Sequence, residues 1–188
     1  SQKSGSDIYS MNADGSHTKA LTEDGKSSSA VWSKDGKSIF FTNNEKGTAQ
    51  IFRMDLTTCE TEQVTDYELG IGSPVISPDE RYIAFTAEVY PDLGADAKAN
   101  KARMEKKEQG PVQAHIADKL LYRHWTSYND GRCNHLILFD TQTKTYKDLT
   151  PGNYSLIFVV GGGITYQFSP DSKEICFVSN HDEHQEAS

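Results

Sequence analysis

Residues 74–86 read PVISPDERYIAFT, and their reading decides the fold. Pro78 stands where a tight turn wants a φ of about −65°, and Asp79 can hydrogen-bond the backbone beyond it. Past the turn, Ile83 and Phe85 lie two residues apart and therefore share one face of a strand. The pattern occurs twice more, as AVWSKDGKSIFFT at residues 30–42 and YQFSPDSKEICFV at residues 166–178. Each copy reads as strand, tight turn, buried strand. Gly36 supplies an easy positive φ in one copy, and Ser172 holds the corresponding place in another.

A second signature alternates with the first. It spans residues 8–22 (IYSMNADGSHTKALT), 51–65 (IFRMDLTTCETEQVT) and 136–150 (LILFDTQTKTYKDLT). An apolar strand enters, a polar turn follows, and a second strand closes on Leu-Thr or Val-Thr, which makes a hairpin. His17 and Cys59 fall in the turns of these hairpins, where exposed polar residues need no function.

The first signature steps by 44 residues from Ser33 to Ser77 and by 92 from Ser77 to Ser169. The second steps by 43 from Ile8 to Ile51 and by 85 from Ile51 to Leu136. Both lengthen across the same interval, so one repeat carries an insertion, at about residues 88–121. Four strands repeating every 43 residues or so mark the blades of a β-propeller, an all-β fold of small antiparallel sheets. Twelve strands amount to about three blades, and the chain is expected to start and stop mid-blade. Propellers close with roughly four to eight blades. Residues 1–188 are therefore expected to be a partial propeller domain, with blade faces and strand edges open to association.

Within the insertion, residues 96–109 are rich in helix formers, and Gly110-Pro111 is a helix stop. A solvated surface helix or loop is the plain reading of its basic excess. Residues 121–131 (LYRHWTSYNDG) form the most distinctive stretch. Arg123, His124, Trp125 and Tyr128 gather there beside a hairpin-type turn, Asn129-Asp130-Gly131. One reading is a substrate-facing patch, in which Arg123 pairs with a carboxylate and Trp125 stacks on a side chain. The other is a strand whose aromatics join the core between blades.

The net charge of −8 excludes a phosphate-backbone binder, which needs a basic face. No apolar run approaches the roughly 18 residues of a membrane span. The first six residues are polar and carry no export signal. Cys59, Cys133 and Cys176 are far apart and read as free thiols. No Gly-x-Ser-x-Gly nucleophile elbow occurs. Gly161-Gly162-Gly163 lacks the Lys-Ser/Thr of a phosphate loop and reads as a turn. His181-Asp182-Glu183-His184 lies beyond the last expected strand and reads as loop rather than metal site. Neither a metal nor a cofactor is expected, and no residue here is a catalytic candidate.

The repeats resemble the propeller units of TolB-type periplasmic proteins and of the prolyl oligopeptidase family. Ile8-Tyr9-Ser10-Met11-Asn12-Ala13-Asp14-Gly15-Ser16 with Ala20-Leu21-Thr22 carries the likeness to TolB. Tyr122-Arg123-His124-Trp125, Asp130-Gly131-Arg132 and Asn134-His135-Leu136 resemble bacterial propellers on the dipeptidyl peptidase 5 and acylaminoacyl peptidase side of that family. Asp148-Leu149-Thr150-Pro151-Gly152-Asn153-Tyr154, Gly161-Gly162-Gly163 and Tyr166-Gln167-Phe168-Ser169-Pro170-Asp171 resemble them as well. Two departures stand out: residues 156–160 replace a proline-containing connection, and Ser172 sits where glycine is usual.

The resemblance implies a propeller that precedes and covers an α/β-hydrolase domain bearing a Ser-Asp-His triad, and that admits only short peptides. That domain is absent from these residues, and no triad member can be carried over. The Asp-Trp-x-Tyr-Glu-Glu motif of type IV dipeptidyl peptidases is missing as well, and Glu105 and Glu108 are a poor substitute. The implied parent is a serine exopeptidase, periplasmic or secreted, that releases dipeptides or blocked residues; the chain itself would be inert. Its expected partners are short peptides, through the parent enzyme, together with the remaining blades and the hydrolase domain. The alternative is a TolB-like scaffold that binds proteins and has no peptidase domain.

Overall fold

The computed structural model describes residues 5–110, 130–156 and 165–179, together with the backbone of residues 123–124 and 127–128. The chain divides into two compact units, Ser1–Gly72 and Ser73–Ser188.

The first unit holds a hairpin, β1 (Tyr9–Ser10) and β2 (Lys19–Ala20), and a four-stranded sheet. The sheet runs β3 (Ser27–Trp32), β4 (Ser38–Asn43), β5 (Gln50–Asp55) and β6 (Thr61–Gln63), each antiparallel to the one before. Ile39 and Phe41 of β4 share a face, as their spacing requires. They pack with Met54 of β5 against Ile8 and Leu21, the residues flanking β1 and β2.

The second unit opens at Ser73, within β7 (Gly72–Ile76), and continues with β8 (Tyr82–Val89). A helix, α1 (Ala97–Glu108), follows, then the short strands β9 (Arg123–His124) and β10 (Ser127–Tyr128). β11 (Cys133–Asp140) and β12 (Thr145–Asp148) complete a sheet of order β12-β11-β8-β7. β13 (Tyr166–Phe168) and β14 (Ile175–Phe177) pair separately. Val75, Ala84, Leu136, Leu156, Tyr166 and Phe168 form the apolar cluster between this hairpin and the sheet. The Tyr166 hydroxyl donates to the Ser73 carbonyl and ties β13 to β7.

The twelve strands expected from the repeats are thus present as antiparallel blades, with β9 and β10 as an added pair. Cys133 pairs with Val89 at the end of the β8–β11 ladder, so these two strands bracket the insertion. The expected helix is present, one residue shorter at each end, because Asp96 and Gln109 serve as its caps. One expectation is corrected. The third Ile-x-Phe strand is not buried: among the described residues β14 pairs with β13 alone, and Phe177 is 44% exposed.

The turn chemistry repeats atom for atom. The hydroxyls of Ser33, Ser77 and Ser169 donate to Asp35, Asp79 and Asp171 at 2.8, 2.6 and 2.7 Å. The same three oxygens accept the N–H of Ser38, Tyr82 and Glu174, each at 2.9 Å. These hydroxyl donations head the causes that hold the Asp79 and Asp171 carboxyls below their usual range. At Asp35 the Lys37 N–H contributes most, followed by the Ser33 hydroxyl. The fourth turn residue has positive φ in every copy: Gly36 (69°), Glu80 (62°) and Ser172 (63°). A side chain in this region is strained by about 1–2 kcal/mol, partly offset by the entropy that glycine loses on folding. Glu80→Gly is therefore expected to raise stability by about 0.5–1 kcal/mol, read as a higher urea midpoint; a lower midpoint would refute the strain argument.

The threonine that ends each hairpin signature also has a physical role. Thr22, Thr65 and Thr150 accept, through Oγ1, the backbone N–H of Ile8, Ile51 and Leu136, each at 2.9 Å. Each hydroxyl reaches back across the hairpin to satisfy a buried donor. Valine fills the same space without the acceptor. Thr65→Val is expected to cost about 1–3 kcal/mol in chemical denaturation, because the Ile51 N–H is left buried and unsatisfied.

Candidate functional site

The segment that departs from the repeat is the insertion, and its base is built with care. At its start, β8 delivers Tyr90 into a turn that closes through Leu93 and Gly94 N–H bonds to the Tyr90 carbonyl. Asp96 Oδ1 then caps α1 by accepting the Ala99 N–H at 3.0 Å. The helix shows little apolar face. Asn100 is its one buried residue among those described. Asn100 Oδ1 accepts the Tyr90 N–H at 2.7 Å, while Nδ2 donates to the carbonyls of Gly94 at 3.0 Å and Asp96 at 2.8 Å.

Cations complete the neck. Arg103 donates both terminal nitrogens to the Asp92 carboxylate at 2.7 Å and stacks over the Tyr90 ring at 4.7 Å. The Arg103 hydrogen bond keeps the Asp92 carboxyl below its ordinary range. Lys107 lies over the same ring at 4.9 Å and donates to the Asp130 carbonyl at 2.8 Å, joining the outgoing and returning chains. Arg132 pairs with Glu88 at 3.1 Å and Asp130 at 2.8 Å, again across the neck. Lys106 and Lys107 sit in the last turn of α1, where the helix dipole favours positive charge.

Of the patch expected from sequence, Arg123 pairs across strands with Tyr128, and His124 with Ser127. The backbone thus brings Arg123 and Tyr128 opposite each other in a small hairpin inside the insertion. Trp125 lies outside the described residues, as do the triglycine at 161–163 and the His-rich stretch at 181–184. Cys59 and Cys176 are exposed and Cys133 is half-buried, all three as free thiols. No group of three or more His, Cys, Asp or Glu side chains converges among the described residues.

Sequence reasoning passed over His135. It is fully buried beside the neck. Nδ1 lies 2.7 Å from Asp148 Oδ2, and Nε2 lies 2.9 Å from the Gly152 carbonyl oxygen. Burial pulls the imidazole pKa down, but the Asp148 hydrogen bond, together with Cys133, the Asp148 charge and the Gly152 carbonyl, outweighs it and carries the value up to about 9. Its sequence signal was its place: His135 directly precedes a hairpin signature, as Asp7 and Gln50 precede the other two.

Residues 1–111, more than half of the chain, match the family described as the TolB beta propeller domain. The chain belongs to that family. It is 28% identical over 178 residues to Dipeptidyl-peptidase 5 of Porphyromonas gingivalis, covering 92% of this chain and 25% of that relative. The chain thus spans about a quarter of the length of this curated relative. Among solved structures, it superposes on an oligogalacturonate lyase in complex with manganese with a TM-score of 0.55 at 16% identity, covering 91% of this chain and 37% of the other. With Pyrococcus horikoshii acylaminoacyl peptidase the TM-score is 0.50 at 22% identity, covering 76% of this chain and 20% of the other. At these identities the structural likeness is one of fold, and a lyase and a peptidase share it. The resemblance to peptidase propellers read from the sequence holds. Among the described residues no helix is long and apolar enough to cross a membrane.

Proposed function

We propose that this chain is the propeller part of a serine exopeptidase, in which it filters peptides on their way to an α/β-hydrolase site encoded beyond these residues. The observation that carries the reading is the likeness to Dipeptidyl-peptidase 5, which runs along 92% of the chain. A rigidly anchored neck supports it, since a filter needs a fixed rim. Arg123, His124, Trp125 and Tyr128 are the proposed peptide contacts. The parent enzyme works in the periplasm or outside the cell, the compartment that the resemblance implies.

The full-length gene product tests this. Its reading frame is expected to continue into Gly-x-Ser-x-Gly, Asp and His, and its product to release dipeptides or blocked residues from short peptides. Arg123→Ala and Trp125→Ala in that protein are expected to raise KM several-fold while fluorophosphonate labelling of the serine is unchanged. A frame that stops soon after the propeller, with no such serine, refutes the peptidase reading. It would favour a TolB-like interaction scaffold, the second reading, which rests on the family match over residues 1–111.

A further inference from the structure

The residue before each hairpin signature has a common task. Asp7 Oδ1 accepts the Gly25 N–H at 3.0 Å. Gln50 accepts the Tyr67 N–H at 2.9 Å and donates to the Tyr67 carbonyl at 2.7 Å. His135 reaches the Gly152 carbonyl at 2.9 Å. Each therefore tethers the backbone that leaves its hairpin, just past the capping threonine. Gln50 does this with a neutral side chain and Asp7 with a half-buried carboxylate; the third copy uses a fully buried imidazole.

The geometry fixes the form of that imidazole. Both ring nitrogens face oxygen acceptors, a carboxylate at 2.7 Å and a carbonyl at 2.9 Å. A neutral ring has one N–H, and its other nitrogen would turn a lone pair toward an acceptor. Only the imidazolium satisfies both. Asp148 is in turn bound by the exit segment and faces the neck turn. Its Oδ1 accepts the Thr150 N–H at 3.0 Å, and its Oδ2 lies 3.2 Å from where a Cβ on Gly94 would stand. Gly94 belongs to the neck turn and has φ +49°, so the carboxylate fits against a position with no side chain.

We propose that the His135 imidazolium, with Asp148 as its counter-charge, is a charge-dependent latch that holds residues 150–156 against the blade. The groups facing it are Asp148 from β12, Cys133 from its own strand, and Tyr154 and the Gly152 carbonyl from the exit segment. Gly94 is the neck residue that meets Asp148; Asp92 is engaged by Arg103 and Asp96 by the Ala99 N–H. The folded value of about 9 lies above the ordinary 6.5. The latch is therefore fully closed below pH 6.5, weakens as pH rises beyond it, and is open above about 9. The inference does not depend on the peptidase reading.

The experiment is ring-nitrogen and amide-exchange NMR on the 188-residue chain between pH 5 and about 10. His135, assigned by loss of its signals in His135→Gln, is expected to stay doubly protonated at neutral pH. As it titrates, the Leu149 and Leu156 amides, which bond to Leu136 and Asn134, should lose protection at least tenfold beyond the intrinsic base-catalysed rise. The Val64 amide of the Gln50 hairpin, bonded to Ile51, should show no such step. In Asp148→Asn, which removes the acceptor and its charge, His135 is expected to titrate lower than in the unmodified chain and the step to move down in pH with it. A His135 that is neutral at pH 7 overturns the proposal. So does one that titrates high while the exit segment keeps its protection. Should His135→Gln not fold, backbone-to-ring correlations in the unmodified chain assign the imidazole, so both results can still be read.

Discussion

Phe85→Ala is expected to lower the stability of the second unit by about 3–5 kcal/mol, one of the two largest effects of any substitution considered for this chain. Phe85 lies on β8, one of the two central strands of the β12-β11-β8-β7 sheet, directly opposite Ile137 of β11. It is 0% exposed, and its ring meets Tyr146 edge-on at 6.2 Å while Tyr146 stacks on Phe139 at 4.8 Å. Alanine removes the ring from a site that strands on both sides keep from collapsing. The cost therefore combines lost transfer energy with an unfilled cavity, and the aromatic contacts are lost as well. Urea denaturation followed by tyrosine fluorescence measures it. The matched control is Phe177→Ala, the same position in the third copy of the motif. Phe177 is 44% exposed, so that change is expected to cost under about 1 kcal/mol. Equal losses at the two positions would refute the burial argument.

Asn100→Ala is expected to cost about 2–4 kcal/mol, felt locally at the neck of the insertion. The carboxamide is fully buried and serves three backbone groups, the Tyr90 N–H and the Gly94 and Asp96 carbonyls. Alanine leaves all three without that partner, and a buried unsatisfied group costs about 1–3 kcal/mol, less where water enters. A helix of 12 residues with so little apolar face is marginal by itself in water. Its position is therefore set by polar anchors, and Asn100 is the one that is buried. Hydrogen exchange should show the Gly94 and Asn100 amides, bonded to Tyr90 and Asp96, opening at least a hundredfold more readily. The β4–β5 ladder of the first unit should be unchanged. Unaltered protection at the neck would mean that the Arg103–Asp92 and Lys107–Asp130 links hold the helix without Asn100.

Much of the scaffold was legible in the chain because its determinants are local and repeated. Ser77, Pro78 and Asp79 carry their turn in their own side chains, and the copies at Ser33 and Ser169 close with the same hydrogen bonds. Asp96 and Gly110 bracket a run of helix formers and mark α1 to within a residue. The threonines that end the hairpins were visible as a pattern, but their purpose was not. Bonds from Thr22 to Ile8, Thr65 to Ile51 and Thr150 to Leu136 exist only once the hairpins have folded back.

The candidate site was less legible, for a related reason. Asn100 lies in a stretch of lysines and alanines and reads as one more solvated residue; only the turn at Tyr90 and Gly94 makes it a buried anchor. His135 looks like an ordinary strand residue until Asp148 and Gly152 converge on its two nitrogens. The sequence by itself determined the blade repeat, the turn types, the helix and the place of the insertion, all encoded by neighbours within a hairpin's length. Tertiary structure alone decided which of the equivalent phenylalanines is buried, which asparagine holds the neck and which histidine carries a charge. Burial and ionisation are set by groups that meet across strands, and a residue's environment there belongs to its partners rather than to its place in the chain.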